Sequence, residues 1–203
     1  MSELFSIQLQ NRQQQGGDGV WLDLPTTTEQ VQAALRQIGI SSDNPQGLFI
    51  SGYFAEEEKR FAIPYNMVLA SNVDELNFLA SRLETLSTGE RAELNAALQA
   101  PQSELFSIGR ITDFPENVDY YVHLPDVHGP AQLGDYYLNR SGMVDMPEEW
   151  KGGIDTAQFG RYVAQQEQGV FTEYGYLVKS GDEWQKVHEG QPVPEEYRVL
   201  SFP

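Results

Sequence analysis

Two adjoining segments with helical periodicity, together covering about residues 70 to 100, constrain the fold of this chain most strongly. The first starts at residue 71 or 72, where serine or asparagine can cap a helix. Its apolar residues recur on one face at helical spacing: Leu76, Leu79, Ala80, Leu83 and Leu86. The second starts at residue 87 or 88 and ends before Pro101, because proline cannot continue a helix. We therefore predict a central helical hairpin within residues 67–102.

Residues 1–66 predict a small sheet with one helix. Apolar and polar side chains alternate over residues 4–9, and residues 20–24 form a second strand that is stopped by a proline. A threonine-capped helix with apolar residues at helical spacing follows and ends at Gly39. Residues 47–54 then read as a third strand.

Residues 103–203 predict a C-terminal α+β unit in which the strand pattern of residues 1–66 returns. The hexapeptide SELFSI occurs at residues 2–7 and again at 103–108, so we expect a strand at both positions. Residues 120–125 and 169–177 are similar to the other two N-terminal strands. We infer two related strand–strand–helix–strand units, with coincidence among short apolar strings as the alternative.

The rest of the C-terminal range predicts helices and an extra tail. Helical patterns cover residues 130–141 and 154–168. The tail, residues 182–203, reads as a polar hairpin followed by a last strand at 197–202. The expected fold class is α+β, an elongated chain of small α/β units, made of short antiparallel sheets plus helices, that flank the central helical hairpin.

The charge of the chain is strongly unbalanced, because 30 Asp and Glu face 13 Lys and Arg and give a net charge of −17. Lysine and arginine are absent from five windows that all contain carboxylates: 13–35, 37–58, 61–81, 111–139 and 162–178. Such a surface repels nucleic acid and acidic membranes and attracts a basic protein groove. We therefore expect a basic protein as partner, and neither nucleic acid nor membrane; acidity that serves solubility alone is the alternative.

One string is a candidate for metal or catalytic chemistry. His123, Asp126 and His128 could ligate a metal ion together, but Pro125 breaks the helical spacing that puts residues four apart on one face. We therefore favour loop histidines. The chain has no cysteine, no phosphate-binding loop and no nucleophile elbow. We predict a protein that is not an enzyme and that binds no metal and no cofactor.

Five groups of short strings occur in order along the chain. They are GVWLDLP at 19–25, ELNFLA at 75–80, LGDYY at 133–137, ID at 154–155 with FGR at 159–161, and GVFT at 169–172 with GY at 175–176. Their order and spacing resemble the ArdA family of antirestriction proteins over roughly residues 5–178, and the tail beyond 180 has no counterpart. Asn139 and Arg140 also depart from the acidic character of the family.

The resemblance implies a function without catalysis. It implies a cytoplasmic chain, carried by mobile genetic elements, that pairs into a curved homodimer through its C-terminal part. It also implies inhibition of type I restriction-modification enzymes by occupation of the DNA groove of their methyltransferase core. The stretch around Leu133, Tyr136 and Tyr137 corresponds to one associated with antirestriction activity in relatives. The chain itself shows no secretory signal and no apolar run of about 18 residues.

Carboxylates in the windows without bases are the candidate DNA-mimicking groups. They are Asp18, Asp23, Glu29, Asp43, Glu56, Glu57, Glu58, Asp74, Glu75, Asp113, Glu116, Asp119, Asp126 and Asp135. Two other functions stay open at this point. An acidic scaffold or adaptor would bind some other basic protein, and a metal-dependent hydrolase would use the two histidines at 123 and 128.

Overall fold

The computed structural model describes residues 4–14, 17–56, 60–101 and 103–203. It forms two compact units, each assembled from separate stretches of the chain. The first unit contains residues 1–87, 105–116 and 185–203, and the second contains residues 88–104 and 117–184. The division at 1–66, 67–102 and 103–203 stays a prediction, since the middle and last of these ranges contribute to both units.

The described residues form six strands and eight α-helices. The strands are β1 (Phe5–Asn11), β2 (Val20–Leu24), β3 (Leu48–Phe54), β4 (Tyr121–Leu124), β5 (Val170–Thr172) and β6 (Gly175–Lys179). The α-helices are α1 (Thr28–Gln37), α2 (Tyr65–Leu69), α3 (Val73–Leu83), α4 (Thr88–Gln99), α5 (Ile108–Thr112), α6 (Pro130–Asp135), α7 (Glu148–Lys151) and α8 (Thr156–Glu167). A π-helix at Tyr136–Arg140 continues α6. The predicted α+β class is confirmed.

The sheet of the first unit has the strand order β2-β1-β3 with antiparallel neighbours. Phe5, Ile7 and Leu9 of β1 are buried, whereas the residues between them are only partly covered. Alternation with period two is what a strand with one covered face requires. Helices α1 and α3 contact β2, and α2 contacts β3. The three N-terminal strands predicted from the sequence are therefore present.

Helices α1 and α3 begin at capping boxes. Thr27 accepts a hydrogen bond from the backbone of Gln30, whose side chain reaches back to the Thr27 backbone. Asn72 and Glu75 form the same reciprocal pair at the start of α3. Each box satisfies two backbone N–H groups that the first helical turn leaves without partners. The predicted start sites at a threonine and at residue 71 or 72 are confirmed.

The tail joins the first unit through two carboxylates. Asp113 is fully buried and accepts hydrogen bonds of 2.6–3.2 Å from the backbone N–H groups of residues 187–189. Asp74 accepts hydrogen bonds of 2.7 Å from Val199 and Leu200. The strand predicted at 197–202 is wrong, because these backbone donors bind a carboxylate on α3 and not a neighbouring strand.

The second unit has a three-stranded antiparallel sheet in the order β4-β6-β5, and α6 packs against α8. Two glycines make this helix contact possible. A Cβ atom on Gly160 would lie 1.8 Å from the carbonyl oxygen of Pro130, and one on Gly134 would lie 1.9 Å from that of Thr156. The two backbones therefore touch, and no larger residue fits at either position.

Two repeat-based predictions are wrong. The second SELFSI copy forms no strand at 103–108; Ser107 caps α5 and Ile108 is its first residue. Residues 169–177 form two strands, β5 and β6, joined by a turn at Glu173 and Tyr174. The second unit is thus not a copy of the first, because its sheet is built from a C-terminal hairpin and β4.

Candidate partner-binding surfaces

Of the candidate acids that the structure describes, eight are exposed to solvent. They are Asp18, Asp23, Glu29, Asp43, Glu56, Glu116, Asp119 and Asp126. All eight lie in sequence windows without lysine or arginine. Exposed carboxylates with few basic neighbours in sequence create a negative potential that extends into solvent and attracts cationic surfaces.

Local structure determines how two of these carboxylates are presented. Asp23 on β2 lies opposite Ser6 on β1, and its Oδ1 accepts a hydrogen bond of 2.6 Å from Ser6 Oγ. Glu29 lies in the first turn of α1, where its own backbone N–H and the Thr27 side chain lower the pKa of its carboxyl. The hydrogen bonds favour the charged form, so Glu29 carries its negative charge at neutral pH.

Two candidate acids accept hydrogen bonds from the tail, and their carboxylates are not fully exposed to solvent. Asp113 is fully buried, and Asp74 is half-buried. Both use their oxygens to hold the backbone N–H groups of the tail. Neither matches the expectation of an exposed charge, because the tail supplies donors that the sequence pattern does not indicate.

Three of the candidate acids, among them the exposed Glu116, have other partners within the chain. Glu75 accepts the N–H of residue 72 at 3.2 Å, Glu116 forms an ion pair with Arg82, and Asp135 Oδ2 lies 3.4 Å from the Nε of Arg140. A cation beside a carboxylate cancels much of its distant field. Two more candidates, Glu57 and Glu58, lie outside the described residues.

The stretch around Tyr136 and Tyr137 lies mainly inside the second unit. Leu133 is fully buried with Val127 and Tyr176, and the two tyrosines pack against this cluster. The hydroxyls of Tyr137 and Tyr176 both donate to the carboxylate of Glu167, the latter at 3.0 Å. Burial, together with the Glu167 charge, raises the pKa of both tyrosines, so the two hydroxyls keep their protons and remain donors.

The three residues of the candidate metal string have separate contacts and exposures. His123 Nε2 lies 2.7 Å from the carbonyl oxygen of Tyr174, in the turn between β5 and β6. Asp126 and His128 are exposed, and the His128 backbone N–H donates to Gln132. In the described part of the chain, histidine, aspartate and glutamate form no group of three that could hold a metal ion.

A carboxyl group in the second unit has an unusual proton affinity. Burial, together with the nearby charges of Asp119 and Glu90, raises the pKa of Glu93 to about 8. Among the described residues, Glu93 Oε1 is a buried acceptor without a hydrogen-bond donor. The sequence gives no signal for this, because Glu93 is one of two acids in α4 and nothing in the pattern of that helix distinguishes it.

Exposed aromatic side chains are a feature that the sequence interpretation missed. Trp21 and Phe54, in the sheet of the first unit, are 49% and 57% exposed. Their ring centroids are 6.4 Å apart in an edge-to-face arrangement. Trp21 occupies an outward position of β2, so the alternation of that strand was the signal that could have identified it.

Comparison with protein-family models identifies one family. The model of the antirestriction protein ArdA matches residues 16–178, which is most of the chain. The chain belongs to the ArdA antirestriction protein family. A comparison with individual curated proteins found no match.

The ArdA match ends at residue 178, just before the end of β6, and thus covers parts of both units. Residues 185–203 lie beyond it and complete the first unit. The ArdA-like strings around Gly134 and Gly160 contain the two glycines at which α6 and α8 touch. The packing of these helices therefore requires glycine at both positions. In the described residues, each helix is too short or too polar to span a membrane.

Proposed function

We propose that this ArdA-family chain inhibits a type I restriction-modification enzyme by imitating the charge of duplex DNA. In this mechanism its carboxylates bind the lysine and arginine side chains of the DNA groove in the methyltransferase core. The inhibitor performs no chemistry and uses no metal or cofactor. It acts in the cytoplasm, where the enzyme meets incoming DNA.

The exposed acids in the windows without bases carry this proposal. Asp18, Asp23 and Asp43 of the first unit, together with Asp119 and Asp126 of the second, are exposed. DNA binding gains free energy when counterions leave the phosphates and the basic groove. A carboxylate surface that enters the same groove displaces the same anions from its lysines and arginines. Affinity then falls steeply as salt rises.

Charge density supports action as a homodimer. Each chain has a net charge of −17, so two copies carry −34. Duplex DNA has one charge per ~1.7 Å, and −34 therefore corresponds to about 58 Å of duplex. We propose pairing through the C-terminal part, and light scattering of the purified chain across a concentration series tests it. A monomer at every concentration up to 100 µM would contradict the pairing.

Competition with DNA tests the main proposal. A fluorescent duplex containing the recognition site is bound to a type I methyltransferase core, and the full-length chain is titrated in at several salt concentrations. We expect displacement of the duplex with an inhibition constant that weakens steeply from 50 to 300 mM salt. A chain that leaves the duplex bound, or that displaces it equally well at all salt concentrations, contradicts charge mimicry.

A further inference from the structure

The outer face of the first unit's sheet presents two aromatic rings beside a carboxylate. Trp21, Gln8 and Gly52 are paired in one row across β2, β1 and β3. Asp23, Ser6 and Phe54 are paired in a second row of the same three strands. In an antiparallel sheet, positions two residues apart on a strand share a face, so both rows project their side chains to the same side.

Gly52 leaves room for the indole ring. A Cβ atom at Gly52 would lie 3.0 Å from Cη2 of Trp21 and 3.0 Å from Cβ of Gln8. The indole therefore extends from the edge strand across β1 to β3. Phe54 meets it there edge to face, and about half of each side chain stays accessible to solvent. This is an open aromatic surface held by backbone pairing.

Several other aromatic rings of the chain already carry a cation of the chain itself. The guanidinium of Arg12 lies 5.4 Å from the Phe49 ring, and that of Arg110 lies 4.4 Å from the Phe106 ring. Among the described residues, no cation lies over Trp21, although tryptophan gives the strongest cation–π attraction. Lysine and arginine are absent from the surrounding window, residues 13–35.

We propose that Trp21, Phe54 and Asp23 form a binding site for an arginine side chain of the basic partner. The guanidinium stacks on the exposed indole, and its N–H groups donate to the Asp23 carboxylate, whose Oδ1 also accepts a hydrogen bond from Ser6 Oγ. Arginine fits better than lysine because its planar group stacks on a ring and donates to a carboxylate at the same time. The negative charge of Asp23 draws a cation to this face.

This inference rests on the proposed function, since it assigns the arginine to the DNA groove of the restriction enzyme. The site would give the inhibitor a contact that phosphate cannot make with the same groove. Its contribution differs from that of the distributed acids in one measurable respect. Replacing a neutral ring removes no charge from the chain and should leave the dependence of inhibition on salt unchanged, whereas removing exposed carboxylates should reduce that dependence.

The experiment has two measurements on the full-length chain. The first is the DNA competition with wild type, Trp21→Leu, Trp21→Phe and, as matched control, Phe106→Leu. The Phe106 side chain is also exposed, but its ring already has the Arg110 guanidinium 4.4 Å from its centroid. We expect about five- to tenfold weaker inhibition for Trp21→Leu, a smaller loss for Trp21→Phe, and no change for the control. The dependence on salt should keep the wild-type slope. The second measures binding of nona-arginine and nona-lysine peptides, and we expect a preference for arginine that Trp21→Leu abolishes.

The outcomes separate the two proposals. Displacement of DNA by Trp21→Leu with wild-type affinity overturns the arginine site and leaves charge mimicry standing. An arginine preference that depends on Trp21, in a chain that does not displace DNA, supports the site and overturns the proposed function. If Trp21→Leu does not fold by circular dichroism, Trp21→Phe and Phe54→Leu decide, and unchanged affinity in both overturns the site. A shift of oligomeric state in the folded Trp21 variants also overturns it, by assigning this face to a contact between copies.

Discussion

The carboxylate of Asp113, which is fully buried, accepts a hydrogen bond of 2.6 Å from the backbone N–H of His188. The bond connects the residue that follows α5 to a tail that lies beyond the ArdA match. Arg110 reinforces the same junction, because its Nε lies 3.0 Å from the Glu189 carboxylate. The tail is thus a structural part of the first unit.

Asp113→Ala should destabilise the chain by about 3 kcal/mol. The substitution removes the acceptor for three backbone N–H groups and leaves them without partners at a partly buried junction. Urea denaturation measures the loss, and limited proteolysis should show faster cleavage of residues 185–203. Asp182→Ala, at an exposed carboxylate, serves as control and should change stability by less than about 0.5 kcal/mol. Equal stability of the two variants would mean that the tail is dispensable.

Gly160→Ala should separate α6 from α8 and cost about 3 kcal/mol. The added methyl group would overlap the carbonyl oxygen of Pro130, which belongs to the backbone and cannot rotate away. Gly89→Ala in α4 is the matched control, because no atom lies within 4 Å of its added Cβ. Alanine is a better helix former than glycine, so the control should be stabilised by about 0.5–1 kcal/mol. Thermal unfolding that moves both variants in the same direction contradicts the contact.

Glu93→Gln should change how stability depends on pH. An unfolded glutamate loses its proton near pH 4.5, while folded Glu93 keeps it up to about pH 8. The stability of the wild type therefore falls as pH rises between these two values and levels off above them. Glutamine cannot ionise, so the variant should gain about 1–2 kcal/mol relative to wild type between pH 4.5 and 8.5. This figure is far below the full shift because the side chain is partly exposed.

Urea denaturation at pH 4.5, 7 and 8.5 measures this difference. Glu149→Gln, at an exposed carboxylate in α7, is the control and should follow the wild-type profile. Parallel profiles for wild type and Glu93→Gln would show that the folded carboxyl ionises as an ordinary glutamate does.

Neutralising four exposed aspartates should weaken DNA competition about tenfold at 50 mM salt and reduce its dependence on salt. The test variant combines Asp18→Asn, Asp23→Asn, Asp43→Asn and Asp126→Asn. The control combines Glu104→Gln and Glu148→Gln, beside Lys179 and Lys151, with Glu149→Gln, at an exposed carboxylate outside the windows without bases, and Asp182→Asn beyond the ArdA match. Both variants change the net charge from −17 to −13. Equal losses would mean that total charge matters and the position of the acids does not.

Local patterns were sufficient for some of the regular elements of the chain. The alternation in β1 and the threonine and asparagine caps of α1 and α3 predict their elements because the signal lies within a few residues. The two copies of SELFSI show the limit of such signals. In the first copy Phe5–Ile7 belong to β1, which pairs with strands on both sides, and in the second Ser107 caps a helix. Identical letters adopt different structures because their partners come from elsewhere in the chain.

The sequence by itself determined the family, the α+β class and the excess of carboxylates, since these depend on composition and on order along the chain. Only the tertiary structure decided which carboxylates face solvent. The Asp23 carboxylate is exposed, whereas the buried Asp113 carboxylate binds backbone N–H groups of the tail, the first of them 74 residues further along the chain. Both aspartates occur in windows without bases. The exposed Trp21 ring was also decided there, because its accessibility depends on the space over Gly52 of another strand. Burial and pairing are properties of the assembled chain, and they determine which charges and rings remain available to a partner.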